Sequence, residues 1–297
     1  MLRFLLPLLL SLHSLAFAGH KEEALAILGS FRAEPDFLTR LEQVSRTFLG
    51  RPYGHTGPLG EGPDGKYDQD PLYRFDAFDC TTFVETVVSL AASRTLPEFE
   101  RTMDHIRYED GVVDYLRRNH FTDLQWVPAN TKSGLLREIN HLVVEPAQLR
   151  EATAIIDLPA WLRRKTIDDV SMANVGFERR LQILRELRSE GSAFSKSTAK
   201  ISYIPVATLL EKPELLNRIP TGTVVNFIRP DWDLTASKGT RLNVSHQGLL
   251  FRKAGGLVLR HAGSTEGAVV ELAFLEYLSR FRDHETLKGV HLMQVNR

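Results

Sequence analysis

The sequence predicts an α+β fold, with helices gathered toward the N-terminus and a small antiparallel sheet toward the C-terminus. Three observations carry this reading. Apolar residues recur at helical spacing in residues 37–49, 80–91 and 99–106, the pattern of helices that bury one face. Short β-rich runs separated by glycine turns lie at 223–228, 244–251 and 257–261, the pattern of hairpin strands. The two kinds of segment do not alternate, which argues against βαβ units and a parallel sheet.

The chain opens with Met1-Leu2-Arg3, an apolar run from Phe4 to Leu15, and Ala16-Phe17-Ala18-Gly19. One basic residue, a short apolar core and an A-x-A site predict a signal peptide over residues 1–18, cleaved after Ala18, and a periplasmic or secreted product. The run falls short of the ~20 apolar residues that a span needs, so no membrane insertion is expected after cleavage; the alternative is an uncleaved anchor. Residues 19–297 are read as a single domain. Leu38, Leu41, Val44 and Phe48 give the first helix, which Gly50 and Pro52 stop. A Gly/Pro/Asp-rich loop follows to about Asp70. From Cys80, the spacing of Phe83, Val84, Val87, Val88 and Ala91 predicts a helix although β-branched residues favour a strand. Thr95-Leu96-Pro97-Glu98 is a capping box that opens the next helix. Residues from about 112 to 200 read as a mostly helical elaboration that walls a cleft, with its clearest helix at Phe177, Leu181, Leu184 and Leu187.

Of the 297 residues 43% are hydrophobic, and 37 basic residues balance 37 acidic ones. That composition is globular and excludes a basic nucleic-acid surface. Cys80 is the one cysteine, so it forms no internal disulfide and is either a buried small residue or a free reactive thiol. It follows Asp79, a good N-cap, and so meets the partial positive charge and free N–H groups of a helix N-terminus. Both favour a thiolate nucleophile, and the same N–H groups can hold an oxyanion.

Alternation puts Val244, His246, Gly248 and Leu250 on one strand face, and Leu257, Leu259 and His261 on another. A turn over 252–256 that pairs Leu250 with Leu257 sets His246 opposite His261. His246 is then placed to take the Cys80 proton and His261 to hold its tautomer. A one-residue slip would turn one histidine away. His105, His120 and His141 lack metal-site spacing, so no metal and no cofactor is expected.

Asp79-Cys80 at the start of a buried helix, Ser245-His246-Gln247-Gly248 on a strand and His261 one strand later resemble the NlpC-type cysteine peptidase superfamily of papain-like bacterial cell-wall hydrolases. Phe78-Asp79-Cys80-Thr81-Thr82-Phe83-Val84-Glu85, Ile106-Arg107-Tyr108-Glu109-Asp110-Gly111, Arg118-Asn119-His120-Phe121, Trp126 and Arg260-His261-Ala262-Gly263-Ser264 look more narrowly like its N-acetylmuramoyl-L-alanine amidase-like branch. The resemblance runs from about Leu49 to the C-terminus. It implies a papain-like fold, with Cys80 as nucleophile, His246 as base and His261 as orienting residue. It makes Tyr53, Asp79, Ser245, Arg107, Tyr108 and Trp126 candidates for substrate or oxyanion contacts. Arg107, Arg241 and Arg260 are weighed as carboxylate clamps against a solvated surface role. Asn243, where the branch has an aspartate, and Phe121, where it has a tyrosine, depart from the pattern.

The implied activity is hydrolysis of the amide between N-acetylmuramic acid and L-alanine in peptidoglycan fragments (muropeptides). The alternatives are a γ-D-glutamyl-diamino acid endopeptidase on the stem peptide, a non-catalytic envelope-binding module, and a lipid acyltransferase. The last is disfavoured because the cysteine precedes the histidine.

Overall fold

The structure, a computed structural model, describes residues 19–54, 59–172 and 175–296; the expected signal segment, residues 1–18, lies outside the described residues. Four helices lead: α1 (residues 19–30), α2 (Phe37–Thr47), α3 (Cys80–Ala92) and α4 (Leu96–Arg107). Then come α5 (Val127–Lys132), β1 (Leu136–Glu138), α6 (Asn140–Val143), β2 (Arg150–Ile156), α7 (Leu158–Arg163), α8 (Phe177–Gly191), β3 (Ser197–Pro205) and α9 (Val206–Glu211). The last part holds β4 (Thr223–Leu234), α10 (Thr235–Lys238), β5 (Thr240–Lys253), β6 (Gly256–Gly263), β7 (Ala268–Ala273), α11 (Phe274–Ser279) and β8 (Gly289–Val295). Among the described residues no helix is long and apolar enough to cross a membrane.

The strands form an antiparallel sheet in the order β2-β3-β8-β4-β5-β6-β7, with β1 pairing the C-terminal end of β8. Both faces are covered. Val224, Leu249, Phe251, Ala262 and Met293 pack on Leu41, Val44, Val84, Val88 and Phe99 of the leading helices. Val225, Phe227, Leu250, Leu259 and Leu292 pack on Val143, Val206, Phe274 and Leu278 from α6, α9 and α11. Neighbouring residues face opposite ways along a strand, so a strand covered on both sides reads as a nearly continuous apolar run, as Thr223–Ile228 does.

The α3 helix shows tertiary packing overriding local preference. Its β-branched residues each cost a few tenths of a kcal/mol of helix propensity. Val84, Val87, Val88 and Phe83 are fully buried, and burial returns about 1.5–3 kcal/mol for each such side chain. Asp79 caps the helix by accepting the Thr82 N–H at 2.7 Å, and the Thr82 hydroxyl accepts from the Asp79 N–H at 3.0 Å.

Two expectations are refined by the structure. Helices make up most of the regular structure from about 112 to 200, as expected, but β1, β2 and the start of β3 also extend the sheet there. Its inward residues on β2 are Ala152, Ala154 and Ile156, two of them too small to signal a strand. The β5–β6 hairpin also turns more tightly than expected. Lys253 pairs with Gly256 and Leu250 with Leu259, a two-residue shift from the Leu250–Leu257 register. An even shift keeps every side chain on its face, so the two histidines stay together as diagonal rather than direct neighbours.

Candidate active site

Cys80 is the first residue of α3, half-buried beside the edge where β5 and β6 part. Their ladder ends at Leu249–Arg260, and beyond it the Gln247 backbone, like that of Thr81, lies close enough to the Cys80 sulfur to favour its charged form, with the Thr81 hydroxyl 3.9 Å from the sulfur. The sulfur thus lies against the residue that follows His246. The loop before α3 is fastened nearby. Tyr53 bridges to Phe78, its N–H donates to the Gly267 carbonyl at 2.8 Å, and the Gly54 N–H donates to Phe78 at 2.8 Å. Burial, followed by the Cys80 and Asp79 charges, pushes the Tyr53 phenol up to about 12.

Nε2 of His246 lies 2.7 Å from Nδ1 of His261, with the rings edge to face at 4.9 Å. That bond occupies one ring nitrogen of His246, Nε2, and does not involve Nδ1. Two glycines allow the approach. A Cβ on Gly248 would stand 2.6 Å from Leu259 Cδ1 and 3.0 Å from His261 Cβ; one on Gly263 would stand 2.2 Å from Glu266 Oε2 and 3.0 Å from His261 Cε1. Nε2 of His261 is buried without a hydrogen-bond partner, and Glu266 is the acid whose charge acts on this ring.

The protonation states differ from the sequence expectation. Burial pushes the Cys80 thiol up to about 12, and the Asp79 carboxylate adds to the rise, against the Gln247 and Thr81 hydrogen bonds. Burial also lowers His246 to about 4, and burial followed by the His246 charge lowers His261 to about 3. Desolvation disfavours whichever form is charged, so here it outweighs the helix N-terminus. The resting site holds a neutral thiol and neutral imidazoles.

The other candidates divide. Asp79 is the N-cap next to Cys80. Ser245 sits at the β5 bulge, where its hydroxyl donates to the Phe227 carbonyl at 3.4 Å. Arg107, Tyr108 and Trp126 are not exposed to a substrate, since each is at most 1% accessible. Trp126 Nε1 donates to Glu85 at 3.0 Å, Arg107 Nε lies 3.3 Å from the other Glu85 oxygen, and the Tyr108 hydroxyl donates to Gly60 at 2.9 Å. They form a buried scaffold between α3, α4 and the loop before α3. Arg260 is equally buried, on the opposite strand face from His261, pairing with Glu42 and Glu271. Arg241 pairs with Asp231 and Asp233 at 2.8 and 2.7 Å.

Asn243 has a clear role. Its amide donates to Asp123 at 2.7 Å, where an aspartate at 243 would set two buried carboxyls together. Phe121 is buried and packs edge to face on Trp161.

The site also includes residues that the sequence reading passed over. Tyr277 on α11 lies 5.2 Å from the His261 ring and 5.3 Å from Phe227, whose own ring is 5.5 Å from His246. Burial pushes the Tyr277 hydroxyl up to about 12; Glu266 and Cys80 add to this, while Arg280 and Arg229 oppose it. No motif marks Tyr277, which reaches the site through the β6–β7–α11 turn. Gln247, inside the Ser-His-Gln-Gly run, was open to notice.

A thiol at a helix N-terminus, near the strand residue that follows one member of a hydrogen-bonded histidine pair, offers the residue types that acyl transfer needs. The sequence profile of the N-acetylmuramoyl-L-alanine amidase-like family (AmiA-like) matches residues 43–285. The chain belongs to this family. Proteins of known structure share its fold. A Legionella pneumophila protein is 35% identical, with a TM-score of 0.89 over 94% of this chain and 97% of that one. A Bacteroides uniformis N-acetylmuramoyl-L-alanine amidase is 20% identical, with a TM-score of 0.61 over 88% of this chain and 99% of that one. The latter likeness shows the fold alone. Among curated proteins none matches.

Proposed function

We propose that this amidase-like protein is a cysteine amidase that hydrolyses the lactyl amide joining N-acetylmuramic acid to L-alanine in muropeptides. The observation that carries the reading is a cysteine at the start of α3 with its sulfur near the Gln247 backbone, next in the chain to a histidine whose Nε2 lies 2.7 Å from His261. The family match supports peptidoglycan fragments as substrates and action outside the cytoplasm, in line with the expected signal peptide.

In the mechanism we infer, the sulfur attacks the lactyl carbonyl carbon as its proton passes to Nδ1 of His246. The proton transfer is coupled to attack. Moving a proton from a thiol near 12 to an imidazole near 4 as a separate step would cost on the order of 10 kcal/mol, most of the ~16 kcal/mol barrier of a typical enzyme. Backbone N–H groups at the start of α3 and the Tyr53 hydroxyl are the candidate oxyanion donors. The C–N bond then breaks, and the imidazolium gives its proton to the departing alanine amine. Water, deprotonated by His246, hydrolyses the muramoyl thioester and restores the thiol. Throughout, His261 Nδ1 accepts the Nε2–H of His246 and fixes the tautomer that leaves Nδ1 basic.

Mass spectrometry of a purified muropeptide incubated with wild type and with Cys80→Ala tests the reading. Free sugar plus intact stem peptide, from wild type alone, is the expected result. A cut within the stem would replace it with the endopeptidase alternative, and no cut by folded wild type would refute it.

A further inference from the structure

An irregular stretch of β4 carries a side chain that the proposed reaction has not used. Ile228 pairs with Val244 and Trp232 with Leu242, so Arg229, Pro230 and Asp231 together stand opposite Asn243. The β4–β8 ladder also ends at Ile228–Gly289, which frees this segment from both neighbours. It is nevertheless held. Asn243 accepts the Asp231 N–H at 3.0 Å, and Arg241 donates to the Asp231 carbonyl at 3.2 Å and to its carboxylate at 2.8 Å. Asp231 adopts φ 50°, a left-handed conformation uncommon outside glycine. Bulges re-aim side chains and concentrate beside active sites.

The side chain re-aimed here is Arg229, two residues past Phe227, whose ring packs on His246. Its guanidinium lies 4.7 Å from the Trp232 ring centroid and donates to the Thr286 hydroxyl at 3.1 Å, while its Nε is buried without a partner. Among the described residues no carboxylate pairs with Arg229, whereas Arg107, Arg241, Arg260 and Arg280 each have one. Tyr277 lies within electrostatic reach of both Arg229 and Cys80. A half-buried guanidinium that lies over an indole ring and is short of acceptors is matched by a planar anion that takes two N–H donors at once.

We propose that Arg229 binds a carboxylate of the substrate's stem peptide and sets a preference for acidic over amidated muropeptides. This rests on the amidase reading, which supplies the substrate class.

The test compares N-acetylmuramoyl-L-alanyl-D-glutamate with its α-carboxamide counterpart. Calorimetric Kd values are measured on Cys80→Ala, Cys80→Ala/Arg229→Gln and Cys80→Ala/Arg229→Lys, with thermal melts to confirm folding. The carboxylate should bind the Cys80→Ala protein roughly tenfold or more tightly than the carboxamide, the range for a charge-assisted hydrogen bond. Arg229→Gln should narrow the gap to within about twofold, and Arg229→Lys should keep part of it. An undiminished gap in a folded Arg229→Gln protein overturns the assignment, as does equal weakening of both ligands. Product analysis with the Cys80 enzyme separates the two claims: cleavage with unchanged selectivity after Arg229→Gln refutes the Arg229 role alone, whereas neither cleavage nor binding refutes both.

Discussion

Replacing His261 with alanine removes the ring nitrogen that lies 2.7 Å from Nε2 of His246, the proposed base. In the resting site both rings are neutral, so the lost bond is ordinary and KM should move little. In the transition state of the proposed reaction His246 becomes an imidazolium, and the same bond becomes charge-assisted. Such bonds contribute about 1.5–3 kcal/mol against about 0.5–1.5 for neutral ones, and only the difference, about 1–1.5 kcal/mol, is lost from the activation step, which at ~1.4 kcal/mol per decade predicts a fall in kcat of roughly five- to tenfold. The pH profile carries a second signature. Burial holds His246 at about 4, and the space left by His261 admits water, so the base should move up toward its ordinary 6.5. Its protonated form is inactive, so the acid limb of kcat/KM shifts to higher pH and the variant loses activity where wild type still works. His261→Gln, whose side-chain carbonyl can accept, should recover part of kcat. A folded His261→Ala protein with kcat within about twofold of wild type and an unmoved acid limb would refute the orienting role.

Two further outcomes are expected. His246 and His261, near 4 and 3 when folded, bind protons in the unfolded chain first, so their contribution to stability is intact above about pH 6.5 and is lost as pH falls toward 4. Asp68 and Glu85, both raised to about 7 chiefly by burial, and Asp104, raised to about 6, act oppositely in that window, so the readout is a difference: the urea-denaturation gap between wild type and the His246→Gln/His261→Gln protein should shift against wild type from pH 7.5 to pH 5, and a constant gap counts against buried neutral rings. Trp126→Phe takes the indole donor from buried Glu85 and should destabilise the protein by about 1–3 kcal/mol while kcat and KM of the folded fraction stay within about twofold; a large rise in KM without loss of stability would restore Trp126 as a substrate contact.

The parts of this structure that were legible in the sequence are those whose signals are local. The caps Asp79 and Thr95 announce α3 and α4, and β-branched runs announce the centres of β4, β5 and β6. Pairing His246 with His261 needed strand parity alone, and so survived a register read two residues out. What stayed hidden depends on distant partners. Central β8 is buried on both faces and interrupted by His291, so it shows neither alternation nor an unbroken apolar run. Arg107 and Trp126 look like surface functional groups until Glu85, on the neighbouring helix, is seen to hold both. Arg229 acquires its place through a bulge held by Asn243 and Arg241, which no local pattern encodes.

Asp79 brings these levels into conflict at one residue. Its side chain stabilises the start of α3 by accepting the Thr82 N–H, yet its charge is the largest electrostatic contribution after burial to the raised Cys80 thiol. Asparagine caps a helix about as well as aspartate but carries no charge. Asp79→Asn should therefore keep α3 intact while lowering the thiol pKa, and the thiolate fraction at pH 8 should rise. Iodoacetamide alkylation of Cys80, which requires thiolate, should be slow in wild type at that pH and several-fold faster in the variant. The substitution should leave the thermal midpoint within a few degrees, since the exchange of caps changes stability by well under ~1 kcal/mol. If alkylation is unchanged while the fold is intact, the neighbouring carboxylate does not govern the Cys80 thiol, and burial alone must account for its neutral resting state.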